Sequence, residues 1–141
     1  MDGDRLDELL REGGLKATPK RRLVAEYLLA RRATRTPEQV WRQLRRKLGA
    51  LGLPTIYRIL EELVSIGILT RVEWPDRNLR YAPCHAEHGR HHHHVVCTEC
   101  GRVGEVKACT VDEQKRAIER ASGFRVLSHR LQIEGLCPRC R

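Results

Sequence analysis

The stretch "PTIYRILEELVSIGILTRVEWPDRNLRY", residues 54–81, joins a helical pattern to a predicted β-hairpin. Its first apolar residues recur at helical spacing up to Gly67, a predicted helix stop: Ile56, Ile59, Leu60 and Leu63. Two short strand patterns, residues 68–73 and 79–81, then flank the turn "WPDRN". A helix followed by such a hairpin is typical of a winged helix-turn-helix, with that helix as the recognition helix.

Further helices are predicted upstream of this stretch. Leucines at residues 6, 9 and 10 keep helical spacing before a Gly-Gly pair. Thr18-Pro19 and Thr36-Pro37 each place an N-cap residue before a first-turn proline. The first 83 residues are therefore predicted to hold several short helices and a wing.

Positive charge is concentrated in this half. The chain carries a formal net charge of +9, and residues 16–58 hold twelve basic residues against Glu26 and Glu38. DNA contacts are predicted at the exposed start of the recognition helix and in the basic segment ahead of it: Thr55, Tyr57, Arg58, Lys16 and Arg21. The alternative is a helical domain whose arginines only maintain solubility.

All six cysteines and all seven histidines lie from residue 84 onward. The pairs Cys97-x-x-Cys100 and Cys137-x-x-Cys140 match a tetrahedral thiolate cage for structural zinc. A disulfide framework needs a secreted context, and the sequence opens on no signal peptide and contains no membrane-spanning run. A cytoplasmic protein without a membrane partner is expected. Two redox dithiols remain the alternative to zinc.

Four consecutive histidines precede the first cysteine pair. Val95 and Val96 favour a strand, and side chains alternate between the two faces of a strand. His92 and His94 should therefore share one face, and His91 and His93 the other. The two rows suggest ligands for two ions, with further ligands to be sought at Cys84, Glu105, Asp112 and His129.

The rest of this half predicts a small α/β domain. We expect a strand at residues 103–106, a helix begun by a Thr110-x-x-Glu113 capping box, and a strand at residues 124–134. Cys109 is interpreted as a small buried hydrophobe, and His85 and His88 as exposed loop residues. The fold class is α+β, with a winged-helix domain at 1–83, a hinge near 82–90, and a metal-binding dimerisation domain at 84–141.

Together these residues resemble the ferric uptake regulator family of bacterial metal-sensing repressors. The matching stretches are "LKATPKRRLVAEYL", "PTIYRILEEL", "HHHHVVCTECGRVGEV" and "SHRLQIEGLCPRC", which lie in the family's order over nearly the whole chain. The resemblance implies a homodimer that binds double-stranded operator DNA in a metal-dependent way.

The resemblance also implies three groups of metal ligands. Structural zinc would lie on the four cysteines of the two pairs, Cys97, Cys100, Cys137 and Cys140. A sensing site near the hinge would include His92 and His94. A further site would use His91, His93, Asp112 and His129.

The sensed metal is inferred from two positions. Iron- and peroxide-sensing branches carry a histidine where this chain has a threonine, at or near Thr34. Zinc-sensing members resemble "YAPCHAEH" around Cys84, and a thiolate favours zinc. The sensing ligands are predicted as Cys84, His92, His94 and Glu105; Glu73 or the region of Thr70 stays open for the fourth.

The sequence thus predicts a zinc-responsive repressor of zinc uptake genes, closest to the zinc uptake regulator branch. Zn²⁺ is the expected structural and regulatory metal, ahead of Fe²⁺ or Mn²⁺ at the regulatory site. An iron- or peroxide-responsive repressor is the alternative. An enzyme acting on a small molecule is not expected, because no nucleophile or HExxH-type motif occurs. A zinc-buffering protein that does not bind DNA is the third class considered.

Overall fold

The computed structural model describes residues 3–31, 33–49, 51–74, 76, 78–84, 92–106 and 109–141. The chain divides into two compact units, Met1–His85 and Ala86–Arg141. The predicted boundary at residue 83 lies close to this division.

The described residues of the first unit form four helices and a two-stranded sheet. The helices are α1 (Gly3–Glu12), α2 (Pro19–Leu29), α3 (Pro37–Leu48) and α4 (Leu53–Ser65). Strands β1 (Leu69–Glu73) and β2 (Leu79–Pro83) follow as an antiparallel hairpin, with Thr70 opposite Ala82. This order of helices and hairpin is the winged-helix arrangement predicted from residues 54–81.

Local capping sets where α2 and α3 begin. Thr18 and Thr36 are N-caps whose hydroxyls accept from the N–H groups of Arg21 and Gln39. At α3 the Gln39 side chain also accepts from the Thr36 N–H, which completes a capping box. Both predicted start signals are confirmed.

One hydrophobic core joins the helices of this unit to its wing. The apolar face of α4 is buried, and Gly67 ends that helix with a φ of 76°, as predicted. Tyr81 of β2 is fully buried and exchanges two backbone hydrogen bonds with Arg35, an isolated bridge that links the segment before α3 to the wing. The core consists of Leu6, Leu9, Leu10, Val24, Ala25, Leu28, Val40, Leu44, Leu51, Ile56, Ile59, Leu60, Leu63, Ile68, Leu69 and Tyr81.

In the second unit, residues 92–106 and 109–141 form a three-stranded sheet with one helix. Strand β3 (His93–Cys97) lies between β4 (Val103–Val106), which is antiparallel to it, and β5 (Gln132–Gly135), which is parallel. Helix α5 (Thr110–Ser122) lies between β4 and β5 in the sequence. The two units together confirm the α+β class.

Three predictions for the second unit were wrong. Helix α5 is capped by the Cys109 sulfur, which accepts from the Asp112 N–H, and not by a Thr110 capping box. Cys109 is half-buried and in polar contacts, so it is no buried hydrophobe. Of the predicted strand at 124–134, only residues 132–134 lie in a sheet strand, β5, and Phe124 and Leu127 ahead of it are 79% and 85% exposed.

Candidate metal centres

The four cysteines of the two Cys-x-x-Cys pairs converge at one end of the sheet. Their sulfurs all lie within 4.8 Å of one another, and the Sγ atoms of Cys100 and Cys137 are 3.7 Å apart. Sulfurs around a tetrahedral zinc are separated by about 3.8 Å when each Zn–S bond is about 2.3 Å. The cluster therefore has the size of a four-thiolate zinc site.

Short local turns aim the four sulfurs inward. Cys97 ends β3, and the N–H of Gly101 returns to the Cys97 carbonyl at 2.9 Å. The second pair repeats this turn, with the N–H of Arg141 donating to the Cys137 carbonyl at 3.1 Å. Because β3 and β5 are neighbours, the turns that follow them meet.

Backbone N–H groups favour the thiolate form of one of the four cysteines. Hydrogen bonds from the N–H groups of Cys100 and Cys137 lower the pKa of the Cys97 thiol to about 6. Hydrogen bonds with the neighbouring Cys137 and Cys100 sulfurs raise the pKa of Cys140 to about 12. One thiolate thus forms readily near neutral pH, whereas the Cys140 thiol stays protonated there unless a cation lies beside it.

His94 of β3 and His92, which directly precedes that strand, bring their rings together, as their spacing predicts. Their ring centroids are 4.8 Å apart in an edge-to-face arrangement. Burial and the neighbouring His92 lower the pKa of His94 to about 4, so this imidazole is neutral at physiological pH. Its Nε2 atom is buried and finds no hydrogen-bond partner among the residues that the structure describes. An unpartnered nitrogen of a neutral imidazole is a ready metal ligand.

The other predicted sensing residues are distributed over both units. Glu105 lies on β4 directly opposite His94, where paired side chains share one face of the sheet. Cys84 follows β2 in the first unit, and its N–H donates to the Ile68 carbonyl at 3.0 Å. Thr70 is half-buried and Glu73 is exposed on β1.

The opposite face of β3 carries a second group. His93 is 3% exposed, and its Nε2 is 3.2 Å from the Cys109 sulfur and 3.3 Å from the His129 Nε2. The Cys109 sulfur lies equally close, 3.2 Å, to the His129 Nε2. The predicted partner Asp112 lies 4.0 Å from the other ring nitrogen of His129, and His91 lies outside the described residues, as do His85 and His88.

Sequence reasoning missed Cys109 as a member of this group. Its only signal was the position before a predicted helix start, three residues ahead of an acidic residue. Nothing in the local pattern indicates that β3 and the segment before β5 bring two imidazoles to it.

The predicted DNA-contacting residues divide into two sets. Arg58 is 72% exposed along its side chain on α4, and Lys16 is also exposed. Tyr57 is 38% exposed and donates its hydroxyl hydrogen to Glu38 at 2.7 Å, which raises the Tyr57 pKa. Thr55, in the first turn of α4, is half-buried.

Arg21 forms contacts inside the first unit. Its Nε donates to the Glu62 carboxylate at 2.8 Å, and its Nη1 donates to the Lys16 carbonyl at 2.8 Å. These bonds link α2 and the preceding loop to α4.

A winged helix followed by a small sheet with clustered thiols and imidazoles defines a metal-binding regulator rather than an enzyme. Comparison with known proteins specifies the class. A family model described as the ferric uptake regulator family matches residues 12–134, and the chain belongs to that family.

Sequence relatives agree with this membership. The ferric uptake regulation protein of Bacillus subtilis is 32% identical over 138 residues, which cover 97% of this chain and 93% of that protein. The peroxide operon regulator of the same organism is 28% identical over 94% of this chain and 89% of its own length.

Solved structures share the fold. A zinc uptake regulator complexed with zinc and DNA superposes with a TM-score of 0.80 at 22% identity, covering 97% of this chain and 91% of that one. The Helicobacter pylori ferric uptake regulator superposes with a TM-score of 0.62 at 23% identity, covering 97% and 89%.

The family membership confirms three expectations. The protein is a metal-responsive transcriptional regulator, it is not an enzyme, and its fold is α+β with an N-terminal DNA-binding domain and a C-terminal dimerisation domain. No helix in the described residues is long and apolar enough to cross a membrane.

Proposed function

We propose that this regulator is a zinc-responsive repressor that binds operator DNA as a metal-loaded homodimer and controls zinc uptake genes. The observation that carries the proposal is the buried Nε2 of His94, which lacks a hydrogen-bond partner within the described residues. Burying a polar atom without a partner costs free energy, so a bound cation there would repay that cost.

The proposed regulatory ligands are Cys84, His92, His94 and Glu105. His92 and His94 supply neighbouring imidazoles, and Glu105 faces His94 across the sheet. A thiolate from Cys84 would make the set two nitrogens, one sulfur and one oxygen. This combination suits zinc better than Mn²⁺, which prefers oxygen ligands. Glu105 is favoured over Glu73 and Thr70 because of its register with His94.

Ligation of this set would join the chain after β2 to β3. Zinc can favour a DNA-binding arrangement only by binding it more tightly than the alternatives. A ligand set drawn from both units would give zinc different affinities for different arrangements of the protein. In this proposal the four-cysteine cage holds a structural zinc that supports the second unit.

Exposed basic residues of the first unit support operator binding. Arg58 on α4 and Lys16 ahead of α2 are exposed cations, and α4 would enter the major groove. Tyr57 and Thr55 start the same helix, where side chains meet base edges. The family membership supports the same partner.

Exposed apolar residues of the second unit support a homodimer. A monomer that leaves several large apolar side chains in water gains from burying them against a second copy. The side chains are Ile118, Phe124, Leu127, Ile133 and Leu136.

Metal-dependent DNA binding tests the proposal. The probe is a duplex selected by the wild-type protein from a random library, with separate selections in zinc, iron(II) and manganese(II). Binding by fluorescence anisotropy should be activated by zinc at lower free-metal concentration than by the other two ions. Cys84→Ser should weaken activation by zinc at least tenfold while the zinc content of the cage is unchanged. Equal zinc activation of Cys84→Ser and wild type would overturn the assignment of Cys84.

An iron- or peroxide-responsive repressor is the second candidate, and the sequence relatives favour it. The resemblance around Thr34 argues against it, since those branches carry a histidine at or near the position of this buried threonine. Activation by iron(II) alone, or loss of DNA binding on peroxide treatment of the iron-loaded protein, would establish it in place of the zinc proposal.

A further inference from the structure

The triad of His93, Cys109 and His129 has the geometry of a separate metal site. We propose that these three side chains bind a borderline divalent cation, of which Zn²⁺ is the expected one, with the Cys109 thiolate as a direct ligand. The ligand set expected from family resemblance contains Asp112 instead of this cysteine.

The distances within the triad match three corners of a tetrahedral site. The three edges measure 3.2, 3.2 and 3.3 Å. Around tetrahedral zinc, N···N edges are about 3.3 Å and N···S edges about 3.6 Å, from bonds of about 2.0 and 2.3 Å. The nitrogen pair already has the required separation, and the sulfur must move outward by a few tenths of an ångström.

The Cys109 sulfur lies at the N-terminus of α5. Cys109 is the N-cap of α5 and accepts from the Asp112 N–H at 3.3 Å. A helix N-terminus stabilises negative charge, so it supports a thiolate ligand. Cys109 is half-buried and the His129 side chain is 17% exposed, which leaves a path for an ion and a position for a fourth ligand.

Asp112 takes a different role in this arrangement. Its carboxylate lies 4.0 Å from the His129 Nδ1, the nitrogen that faces away from Cys109. A carboxylate near the remote nitrogen of a ligating histidine orients that ring. Asp112 is therefore assigned as a positioning residue for His129.

The thiolate determines which cation the site takes. Two imidazoles with a carboxylate accept iron, manganese and zinc, whereas a thiolate favours zinc and disfavours manganese. The bound ion would connect β3, the start of α5 and the segment before β5. None of the described side chains of α5 is buried, so this link would be a main attachment of the helix.

His93, Cys109 and His129 all belong to the second unit. The metal site proposed for them therefore does not depend on which metal the hinge site senses. Cobalt(II) is the probe, because a cysteine thiolate bound to it gives a sulfur-to-metal charge-transfer band that oxygen and nitrogen ligands do not. The full chain is first loaded with one zinc in the cage. The Cys84→Ser background removes the thiolate of the proposed hinge site.

In that background one further equivalent of cobalt should bind with a charge-transfer band. Adding Cys109→Ser should abolish the band, and the serine keeps an N-cap acceptor so that α5 still forms. Asp112→Asn in the same background is the matched control and should keep the band with a few-fold weaker affinity. An equal band with and without Cys109 would overturn the proposal. So would a band that is lost in Asp112→Asn and kept in Cys109→Ser.

Alkylation of the wild-type protein provides a second readout without any substitution. Zinc added beyond the cage equivalent should slow iodoacetamide labelling of Cys109, located by peptide mapping, by at least tenfold. Manganese at the same concentration should leave the labelling rate unchanged. Unaltered labelling in zinc would mean that the triad is only a hydrogen-bonded cluster.

Discussion

The guanidinium of Arg21 and the carboxylate of Glu62 form an ion pair at 2.8 Å that ties α2 to α4. Both side chains are largely shielded, at 19% and 24% exposure. The hydrogen bond with Arg21 lowers the pKa of Glu62, and the same bond raises that of Arg21. Arg21 therefore links α2 to α4 within the first unit, and its role as a DNA contact stays a prediction.

Replacing Arg21 should reduce stability in a pH-dependent way. Arg21→Ala is expected to lower the free energy of unfolding by about 1 kcal/mol at pH 7. The folded pKa of Glu62 is lowered, so the contribution is complete above its unfolded pKa of about 4.3 and is lost as pH falls through the folded value. Urea titrations of both proteins at pH 7 and at pH values below 4 measure the difference. The same substitution is also made in the Glu62→Gln variant, which lacks the carboxylate partner. If Arg21→Ala destabilises that variant as much as it destabilises the wild type, the two side chains do not stabilise the fold as a pair.

Replacing Arg58 should weaken DNA binding without changing stability. Its side chain is 72% exposed and lies only at the edge of contact with Glu62, at 3.9 Å. Arg58→Ala should reduce the salt dependence of operator affinity by about one unit of slope, the effect of losing one phosphate contact. Anisotropy titrations at several salt concentrations measure the slope.

Arg120 offers the control for that substitution, because it is an exposed arginine on α5 of the second unit. Arg120→Ala should leave both affinity and slope unchanged. Equal behaviour of the two variants would remove Arg58 from the proposed DNA interface.

Gly13 is a position where any added side chain should destabilise the first unit. A Cβ built there would lie 2.4 Å from the Ile66 Cγ2, a contact that requires the loop after α4 to shift. Gly13→Ala should lower the free energy of unfolding by about 1–3 kcal/mol, as overpacking does. Gly3→Ala is the control, since nothing lies within 4 Å of its added Cβ. Thermal denaturation that ranks the two variants equally would refute the clash.

Removing the metal should destabilise the second unit before the first. Its four-cysteine cage joins the turns that follow β3 and β5, and α5 contributes no buried described side chain. Chelation of zinc should lower the stability of this unit by at least about 4 kcal/mol, the contribution of a ligand present at 1,000 times its Kd. Hydrogen exchange resolved by peptide should show rapid exchange of β3, β5 and α5. The amides of α4 in the first unit should stay protected from exchange. If they lose protection at the same time, the metal does not stabilise the second unit alone.

The features that were predictable from sequence depend on neighbours a few residues apart. Thr36 caps α3 through Gln39, three residues on, and the alternation of His92, His93 and His94 follows from strand geometry. The order of helices and hairpin in residues 54–81 likewise follows from local periodicity and turn residues. Such signals act within one element, so the sequence by itself determined the winged helix and the position of the thiolate pairs.

Only the tertiary structure decided how distant side chains meet. No histidine lies near Cys109 in the sequence, yet the parallel pairing of β3 with β5 brings His93 and His129 to its sulfur. The segment at 124–131 has apolar residues that fit a strand, but no neighbouring strand pairs with it among the described residues, and Phe124 remains in solvent. Strand pairing and ligand convergence depend on contacts between residues far apart in the chain, which local residue patterns do not encode.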